Sequence, residues 1–431
     1  MNTNQAQGGG VRRGPSPFWN YWAASVTSTM GAQVTAVALP LVALVLLDAS
    51  NFEMGLLTAA GYVAIVFVGL PAGVIVQRYP LRGLQISMDL FRAAAMLTIP
   101  LAAWSDVLTL PHLLLVALLV GTAGSLFDIA NATFLPRIVS KDELVARNGM
   151  LSGSLSTAGM AGPALGGLLI QCIGAAASIV FQAITYVASA LLLWRIPATG
   201  RLAQSAESMP VLGQVVVGLR YVFAHPVIRP ALLAAAAVNF ANGAVLALIA
   251  PFLVRNLGLA PGAVGLTLAA DGVGAVIGAA LATWLARLIG TARAVRYALV
   301  AGVVLALAMP LASGAWAAVI FGFGLAGFAA SVAVLSVLTR AHRQIVSPPH
   351  LLSRVMASVR FVSWSSIPLG SLAAGAVAEL WSPRAGLLLV YGAALLAPLV
   401  VWFSQIRSLR DLDEGEPVPA VEEGASAATA G

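Results

Sequence analysis

Long apolar stretches alternate with short polar ones along the chain, from about residue 18 to about residue 403. Each stretch is long enough to form a helix of about 20 residues, which is the length that crosses the hydrocarbon core of a bilayer. The pattern therefore predicts twelve membrane-spanning helices. They cover residues 18–47, 52–76, 84–104, 111–134, 144–170, 174–194, 226–254, 263–288, 293–312, 316–338, 352–380 and 384–403.

The composition agrees with an all-α membrane protein. Hydrophobic residues make up 60% of the chain and charged residues only 9%, whereas soluble domains carry about 25% charged residues. The single cysteine, Cys172, rules out an intramolecular disulfide and a cysteine-based metal cluster. No nucleotide-binding loop or metal-ligand pattern appears, so we expect no cofactor, no metal and no ATP-driven pump.

The basic residues fall mainly on one side of the predicted bundle. With the N-terminus in the cytoplasm, only Arg255 and Arg384 lie in segments on the opposite side. Because cytoplasmic loops carry an excess of lysine and arginine, we expect a multi-pass protein of the cytoplasmic (inner) membrane with both termini in the cytoplasm. This distribution also accounts for the net charge of +7 without a nucleic-acid partner.

The longest predicted loop divides the chain into two six-helix halves. We expect an N-terminal tail at 1–17, a six-helix bundle at 18–194, a central loop at 195–225, a second bundle at 226–406 and a disordered acidic tail at 407–431. The pattern Ile-Val-Ser-x-x-x-Leu-x-x-Arg occurs at 138–147 and again at 345–354, in the same place within each half. Such repeated halves are one known plan for transporters.

Three passages carry a family resemblance. They are Gly-Val-Ile-Val-Gln-Arg-Tyr-Pro-Leu-Arg at 73–82, Gly-Pro-Ala-Leu-Gly-Gly at 162–167, and the close of the fourth span at 127–139. In these passages the chain resembles the major facilitator superfamily, and more narrowly its twelve-span drug–proton antiporters, which include macrolide-efflux and enterobactin-exporter-like proteins. The resemblance runs from about residue 18 to 410 and implies a major facilitator fold.

The passage at 73–82 is similar to the loop motif of this family, in which an acid helps to lock the cytoplasmic gate. Arg78 and Arg82 match the motif, but Gln77 stands where the family has its acid. A glutamine can accept a hydrogen bond, but it brings no charge to a helix dipole. The resemblance thus implies a gating role for this loop, without a full charge lock.

The passage at 162–167 is similar to the core of the family's antiporter motif. Gly162, Pro163, Gly166 and Gly167 match that motif. The proline removes one helix hydrogen bond, and the glycines allow a neighbouring helix to approach closely. The motif implies antiport, although close helix packing alone would explain the same residues.

Acidic residues within the predicted spans need an explanation, because a lone charge in a bilayer costs several kcal/mol or more. Asp271 has no basic residue near it in sequence. Desolvation disfavours its charged form, which suits a proton carrier that loads and unloads during transport. We expect proton coupling at Asp271, with Arg360 as a partner. Alternatively, Asp271 is a satisfied buried acid, and Arg360 extends to the cytoplasm.

A second group of charges lies near the cytoplasmic ends of the third and fourth spans. Asp89, Arg92 and Asp128 fall close to Arg78 and Arg82 in the predicted topology. We interpret them as an ion-pair cluster that gates transport. A solvated interfacial set is the alternative interpretation.

The resemblance implies that spans one, four, seven and ten line a central cavity. A mainly apolar cavity with a few hydrogen-bonding groups suits a bulky, amphipathic, weakly charged compound, although each residue alone fits ordinary helix packing. The candidates are Ser25, Thr29, Gln33, Ser125, Asn131, Asn239, Asn242, Phe321 and Phe328.

The sequence as a whole predicts a monomeric secondary transporter whose partners are a small-molecule substrate, protons and the bilayer. The expected activity is proton-driven export by rocking of two halves. An uptake symporter or lipid transporter on the same fold stays open, since a fold does not fix function. A non-transporting receptor or assembly protein also stays open. A membrane-embedded enzyme is disfavoured because no paired acids or nucleophile–base set appears.

Overall fold

The computed structural model describes residues 17–140, 143–197, 211–348 and 351–414, and within them it contains helices and no strand. The first six helices are α1 (Pro17–Leu46), α2 (Asn51–Arg78), α3 (Leu81–Trp104), α4 (Leu110–Ile138), α5 (Leu144–Ile173) and α6 (Ala175–Trp194). The others are α7 (Val211–Ala224), α8 (Ile228–Pro251), α9 (Pro261–Ile289), α10 (Thr291–Ala306), α11 (Ala308–Leu311), α12 (Ala317–Val346), α13 (Leu352–Leu380), α14 (Pro383–Ala394) and α15 (Leu396–Trp402).

Eleven helical segments in the described part are long and apolar enough to cross a membrane. The chain is therefore a multi-pass integral membrane protein. The eleven include α10 with α11 and α14 with α15, each pair forming one interrupted segment. Helix α2, which is 28 residues long, coincides with the predicted second span and is not among the eleven.

Local sequence explains where several helices begin and turn. Ser50 and Glu53 form a capping box at the start of α2, in which each side chain bonds the backbone N–H of the other residue. Gly174 and Gly290 have φ of +85° and +90°, which lets the chain reverse within one residue between α5 and α6 and between α9 and α10. These short connections keep consecutive helices antiparallel and adjacent.

Two predicted spans are interrupted in the structure. The span at 293–312 breaks after Ala306, and the span at 384–403 breaks after Ala394. Pro310 and Pro398 lie four residues after those points, so their rings remove the hydrogen bond to the carbonyl at which each helix ends.

We call α1–α6 the N-terminal group and α8–α15 the C-terminal group. Helix packing repeats between them: α1 contacts α5 and α6 as α8 contacts α13 and α14, and α4 contacts α2 and α3 as α12 contacts α9 and α10. The groups meet mainly where α2 packs on α13 and α5 packs on α9. We call the side of the bundle where α1 begins the basic side, and the side where α1 ends the far side.

The segment between the groups is more ordered than a loop. Part of the predicted central loop forms α7, whose Tyr221 and Val222 pack against Ile228 and Val355. An apolar face with this packing partner explains why the helix forms. Residues 198–210 and the predicted N-terminal tail up to residue 16 lie outside the described part.

The prediction of a disordered tail from residue 407 was wrong for its first residues. Leu412 is buried at 1% exposure. The Asp411 carboxylate accepts a hydrogen bond from the backbone N–H of Thr291 at 2.8 Å, and Asp413 contacts His342 Nδ1 at 2.8 Å. The acidic residues have specific partners at the start of α10 and on α12, so the segment packs. Residues 415–431 lie outside the described part.

Candidate functional site

A cavity of about 1380 Å³ lies between the two helix groups. It exceeds the size of an ordinary drug-sized site, which is roughly 300–1,000 Å³. Most of its lining is apolar, with polar groups from both helix groups. The polar and aromatic lining residues include Thr35, Thr58, Tyr62, Ser125, Tyr186, Asn239, Asn242, Ser336, Thr339, Ser363 and Trp364.

The cavity lining extends toward the basic side of the bundle. Arg340, Arg343 and Gln344 line it near the end of α12, and Met356 lines it near the start of α13. Arg360 follows about one turn later on the same helix. The cavity thus runs from its apolar middle to the basic ends of the C-terminal group.

Polar contacts join the two groups on the far side. Arg255 donates to the Asp48 carboxylate at 2.6 Å, just beyond the end of α1. Glu379, near the end of α13, accepts hydrogen bonds from the backbone N–H of Asn51 at 3.0 Å and of Phe52 at 3.3 Å. A helix N-terminus favours such a carboxylate, so the start of α2 is tied to α13.

Glycines allow the helix backbones to touch beside these contacts. A Cβ on Gly55 of α2 would lie 2.5 Å from the carbonyl oxygen of Ser371 on α13. A Cβ on Gly167 of α5 would lie 2.5 Å from the carbonyl oxygen of Pro261 and 2.8 Å from Cα of Gly265 on α9. We call these two backbone contacts, α2–α13 and α5–α9, the far-side seam.

The residues of the predicted antiporter motif hold α5 between α1 and α9. Gly162 lies against the Gln33 side chain, and Gly166 approaches the backbone of Val34 so closely that a Cβ would lie 3.0 Å from its Cα. Gly167 and the carbonyl oxygen of Pro163 face α9 of the other group. Gln33 was predicted in the cavity, but it is not among the lining residues and packs on Gly162.

Three of the nine predicted cavity residues, Ser125, Asn239 and Asn242, line the cavity. Three others from α1 and α4, Ser25, Thr29 and Asn131, do not. Ser25 and Asn131 bond to each other at 3.3 Å, because α1 and α4 approach at this level toward the basic side.

The two predicted phenylalanines were misplaced. Phe321 is fully buried and stacks on Phe252 with ring centroids 5.6 Å apart. Phe328 packs edge to face on Tyr391 at 5.8 Å. Both lie toward the far-side end of α12, where rings of neighbouring helices cover them, whereas its cavity-lining residues begin at Val332.

The predicted gating cluster divides into separate sites. Asp89 and Arg92 form an ion pair that is buried within the N-terminal group. The Arg92 guanidinium also lies over the rings of Phe127 and Tyr186, at 4.4 and 4.3 Å from their centroids. Arg82 belongs elsewhere: it donates to the carbonyl oxygens of the last residues of α6, including that of Trp194 at 2.6 Å. The side chains of Gln77 and Arg78 lie outside the described part.

Asp271 and Arg360 are not partners, contrary to the prediction. The charge of Arg360 acts on Asp128 across the two groups, and its guanidinium lies 4.5 Å from the Trp364 ring centroid. Asp271 forms no hydrogen bond or ion pair within the described part, and its charge acts on the hydroxyls of Tyr62 and Tyr391. Asp271 itself is exposed on α9 and is not among the residues that line the cavity.

Sequence reasoning missed the tyrosines and two of the arginines that line the cavity. A periodic signal was available on α12, where Val332, Leu335, Thr339 and Arg343 recur at helical spacing and share one face. The arginines at its end, Arg340 and Arg343, were interpreted only as topology signals. Their position in the cavity lining was therefore not predicted. Among the described residues, no group of three or more His, Cys, Asp or Glu could hold a metal ion.

Comparisons with known proteins identify relatives over most of the chain. A family model described as transmembrane secretion effector, of the MFS type, matches residues 15–423. A protein of Sinorhizobium fredii, y4rN, described as an uncharacterized MFS-type transporter, is 28% identical over 68% of this chain and 72% of its own length. The multidrug efflux pump Tap of Mycobacterium tuberculosis is 26% identical over 48% of this chain and 51% of Tap.

A solved structure shares the fold. A variant of the nucleoside transporter NupG superposes with a TM-score of 0.76, covering 89% of this chain and 98% of NupG. The two sequences are only 10% identical, so this likeness concerns the fold alone.

Proposed function

This chain belongs to the major facilitator superfamily, within its transmembrane secretion effectors, and we propose that it exports a bulky amphipathic small molecule in exchange for protons. It is a membrane transporter and not an enzyme. The observation that carries the proposal is the large cavity between the two groups, together with the contacts that join the groups on the far side. Similarity to the pump Tap favours export over uptake.

The proposed arrangement has twelve spans, with α2 as the second, in the cytoplasmic membrane. The basic side faces the cytoplasm, because cytoplasmic loops are rich in arginine. The cavity then extends toward the cytoplasm, and the far-side seam closes it on the opposite side. This arrangement corresponds to an inward-facing state of a monomer. Substrate enters from the cytoplasm or the inner leaflet. The two groups rock so that the seam opens when the cytoplasmic side closes, and the loop that contains Gln77, Arg78 and Arg82 gates the cytoplasmic side.

Asp271 carries the proton in this proposal. Its carboxyl group is exposed and has no cationic partner in the described part, and it lies outside the cavity lining, although its charge acts on Tyr62, which lines the cavity from the other group. A carboxyl without a fixed ion pair can change its protonation state as access alternates, since no bond to a cation must break. Arg360, which acts on Asp128, has no part in this step.

The test measures accumulation of macrolides, dyes and siderophore-like compounds in an efflux-deficient bacterial host. Wild type should lower the accumulation of at least one compound relative to empty vector. The Asp271→Asn variant should lose the response of export to an imposed pH gradient. Asp106→Asn is the matched control, because Asp106 lies in a far-side turn at φ 55°, which asparagine tolerates.

Two results would contradict this proposal. Full proton-coupled transport by Asp271→Asn would show that another group couples transport to protons. Uptake instead of export, when the pH gradient is imposed in either direction, would reverse the assigned direction. Both readings depend on equal amounts of each variant in the membrane, measured by immunoblot.

A further inference from the structure

The charged residues that line the cavity are all cationic. Arg340, Arg343 and Arg360 line it, and no Asp or Glu is among its described lining residues. Two of these arginines are on α12 and one is on α13, so both helices direct guanidinium groups to the same space. The charge of the lining is therefore positive, and it comes entirely from the C-terminal group.

These arginines are not held in close ion pairs. None of the three forms an ion pair within the described part. Arg343 is buried at 7% exposure, and its Nε atom has no hydrogen-bond partner there. Among the described residues it donates one hydrogen bond, from Nη1 to Thr339 Oγ1 at 3.3 Å. A buried guanidinium with a free donor is costly unless an acceptor arrives.

The local charge balance stays positive when the neighbouring groups are included. Four guanidiniums, those of Arg92 and the three lining arginines, lie in or beside the cavity, and the carboxylates of Asp89 and Asp128 interact with Arg92 or Arg360 among them. Asp89 is already paired with Arg92, and Asp128 is shared between Arg92 and Arg360. Four positive against two negative groups leaves an excess of two, and an ionised Asp271 would still leave an excess of one.

Topology alone does not explain these positions. Arginines that only set the orientation of a protein in the membrane extend to headgroups or water. Arg343, however, is buried, and Arg360 lies eight residues after the start of α13. That distance is about 12 Å along the helix axis. Trp364 lies beside Arg360, and Tyr62 faces the cavity from the opposite group. Cations and aromatic rings together fit an anion on an apolar body.

We propose that the exported molecule is an amphipathic anion. A carboxylate, sulfonate or phosphate group is bound by Arg340, Arg343 and Arg360, and its apolar part lies against the aromatic lining. Guanidinium groups match the geometry of such oxyanions and can bond them in pairs. This inference rests on the proposed export function, and it narrows the weakly charged substrate expected from the sequence to a negatively charged one.

The test compares two probes that share one aromatic skeleton. Purified protein in phosphatidylcholine nanodiscs is titrated with 8-anilinonaphthalene-1-sulfonate and with N-phenyl-1-naphthylamine, which lacks the sulfonate. Arg343→Gln and Arg360→Gln should each weaken sulfonate binding about tenfold, or about 1.4 kcal/mol. Both variants should leave binding of the neutral probe within about twofold of wild type, because apolar contacts stay.

Controls separate charge from folding. Arg360→Lys keeps the charge and should retain more sulfonate binding than Arg360→Gln. Arg287→Gln removes an exposed arginine of α9 that does not line the cavity and should bind both probes as wild type does. Equal weakening of both probes by the glutamine variants, or unchanged sulfonate binding, would overturn the proposal. Tighter binding of the cation ethidium than of the sulfonate would overturn it as well.

Two further comparisons identify the source of the anion and keep the two proposals apart. If nanodiscs containing phosphatidylglycerol displace the sulfonate from wild type, the bound anion is a lipid headgroup; if not, it is a soluble amphiphile. The titration involves no transport step. Arginine-dependent sulfonate binding without export in cells would contradict export only, whereas export of neutral compounds without such binding would contradict the charge class only.

Discussion

Gly167 of α5 and Gly265 of α9 face each other across the seam between the two helix groups, so closely that a Cβ on either residue would overlap the backbone of the other. Gly167 belongs to the motif that the sequence associated with antiport. In the structure it supplies a contact between the groups, whereas Gly162 and Gly166 pack within one group. One short motif thus contributes both to a helix bundle and to the joint between bundles.

A large side chain at Gly167 is expected to open the far-side seam. Gly167→Leu should separate α5 from α9 and lower the population of the closed arrangement. The measurement is cross-linking by a short bis-maleimide between Asp48→Cys and Arg255→Cys in a Cys172→Ser background, because the long Arg255 side chain spans the gap to Asp48 in the native contact. Cross-linking should fall severalfold. Gly153→Leu is the control on the same helix, since a Cβ there meets no atom within 4 Å; equal cross-linking in both variants would contradict this prediction.

Removing one partner of the Asp89–Arg92 pair is expected to destabilise the N-terminal group. Asp89 is fully buried, and its second carboxylate oxygen has no other partner in the described part. Arg92→Met should therefore cost about 3–5 kcal/mol, because it leaves an uncompensated buried charge. The double variant Asp89→Asn with Arg92→Met should recover most of that loss.

Thermal unfolding in detergent checks this prediction. The exposed pair of Glu143 and Arg147 supplies the control, and Glu143→Gln should change the free energy of unfolding by less than about 1 kcal/mol. A double variant as unstable as Arg92→Met would show that the stacking of Arg92 on Phe127 and Tyr186 matters more than the charge.

Apolar periodicity predicted the helices well, because spans in a bilayer must be long and continuous in hydrophobicity. Helix breaks were missed, although Pro310 and Pro398 signalled them in the sequence. The far-side ion pair of Asp48 and Arg255 was not predictable, since these residues are 207 positions apart and the predicted topology puts each of them in a loop. Only the packing of the two groups brings them together.

The candidate site was predicted less completely than the fold. Polar residues on the correct helices were identified, but their height along each helix decides whether they reach the cavity. Ser125 and Asn131 are both on α4, yet only Ser125 lines it. Asp271 and Arg360 are both intramembrane charges, but Arg360 acts on Asp128 instead. The sequence therefore predicts how deep in the membrane a charged residue lies, but only the tertiary structure shows which residue it contacts.

Acidification is expected to weaken the junction between α7 and α8 through His225. Burial, reinforced by the neighbouring His342, lowers the pKa of His225 to about 4. Its Nδ1 accepts hydrogen bonds from the backbone N–H of Val227 and Ile228, which requires a neutral ring. In the unfolded chain the pKa is about 6.5. The stabilisation is therefore complete above about pH 6.5 and is lost as the pH falls from there toward 4.

The size of this effect is on the order of 2 kcal/mol. It is checked by melting temperatures of wild type and His225→Asn between pH 7.5 and pH 4.5. Asparagine can accept the same backbone hydrogen bonds but does not titrate in this range. Wild type should lose more stability than the variant below pH 6.5; parallel curves for the two proteins would refute the role of His225.

The segment 411–414 is expected to stabilise the C-terminal group. A chain that ends at Arg410 should be less stable than one that ends at Glu414. It loses the burial of Leu412, worth about 1.5–3 kcal/mol, and the hydrogen bond of Asp411 to the start of α10, worth about 1 kcal/mol. Melting temperatures of the two purified chains test this difference. Substitution Leu412→Ala in the longer chain should reproduce most of it, and equal stability of all three would argue against packing of the segment.

The far-side seam has a consequence for the energy landscape of the protein. Two backbone surfaces that meet through glycines can part without disengaging interlocked side chains, and their carbonyl groups already have partners within their own helices. Separation therefore leaves few unsatisfied backbone groups, which lowers the cost of passing between a closed and an open arrangement. A ligand that binds one of them about 3 kcal/mol better shifts their ratio by a factor on the order of 100. Binding of a ligand is then enough to decide which of the two arrangements the protein adopts.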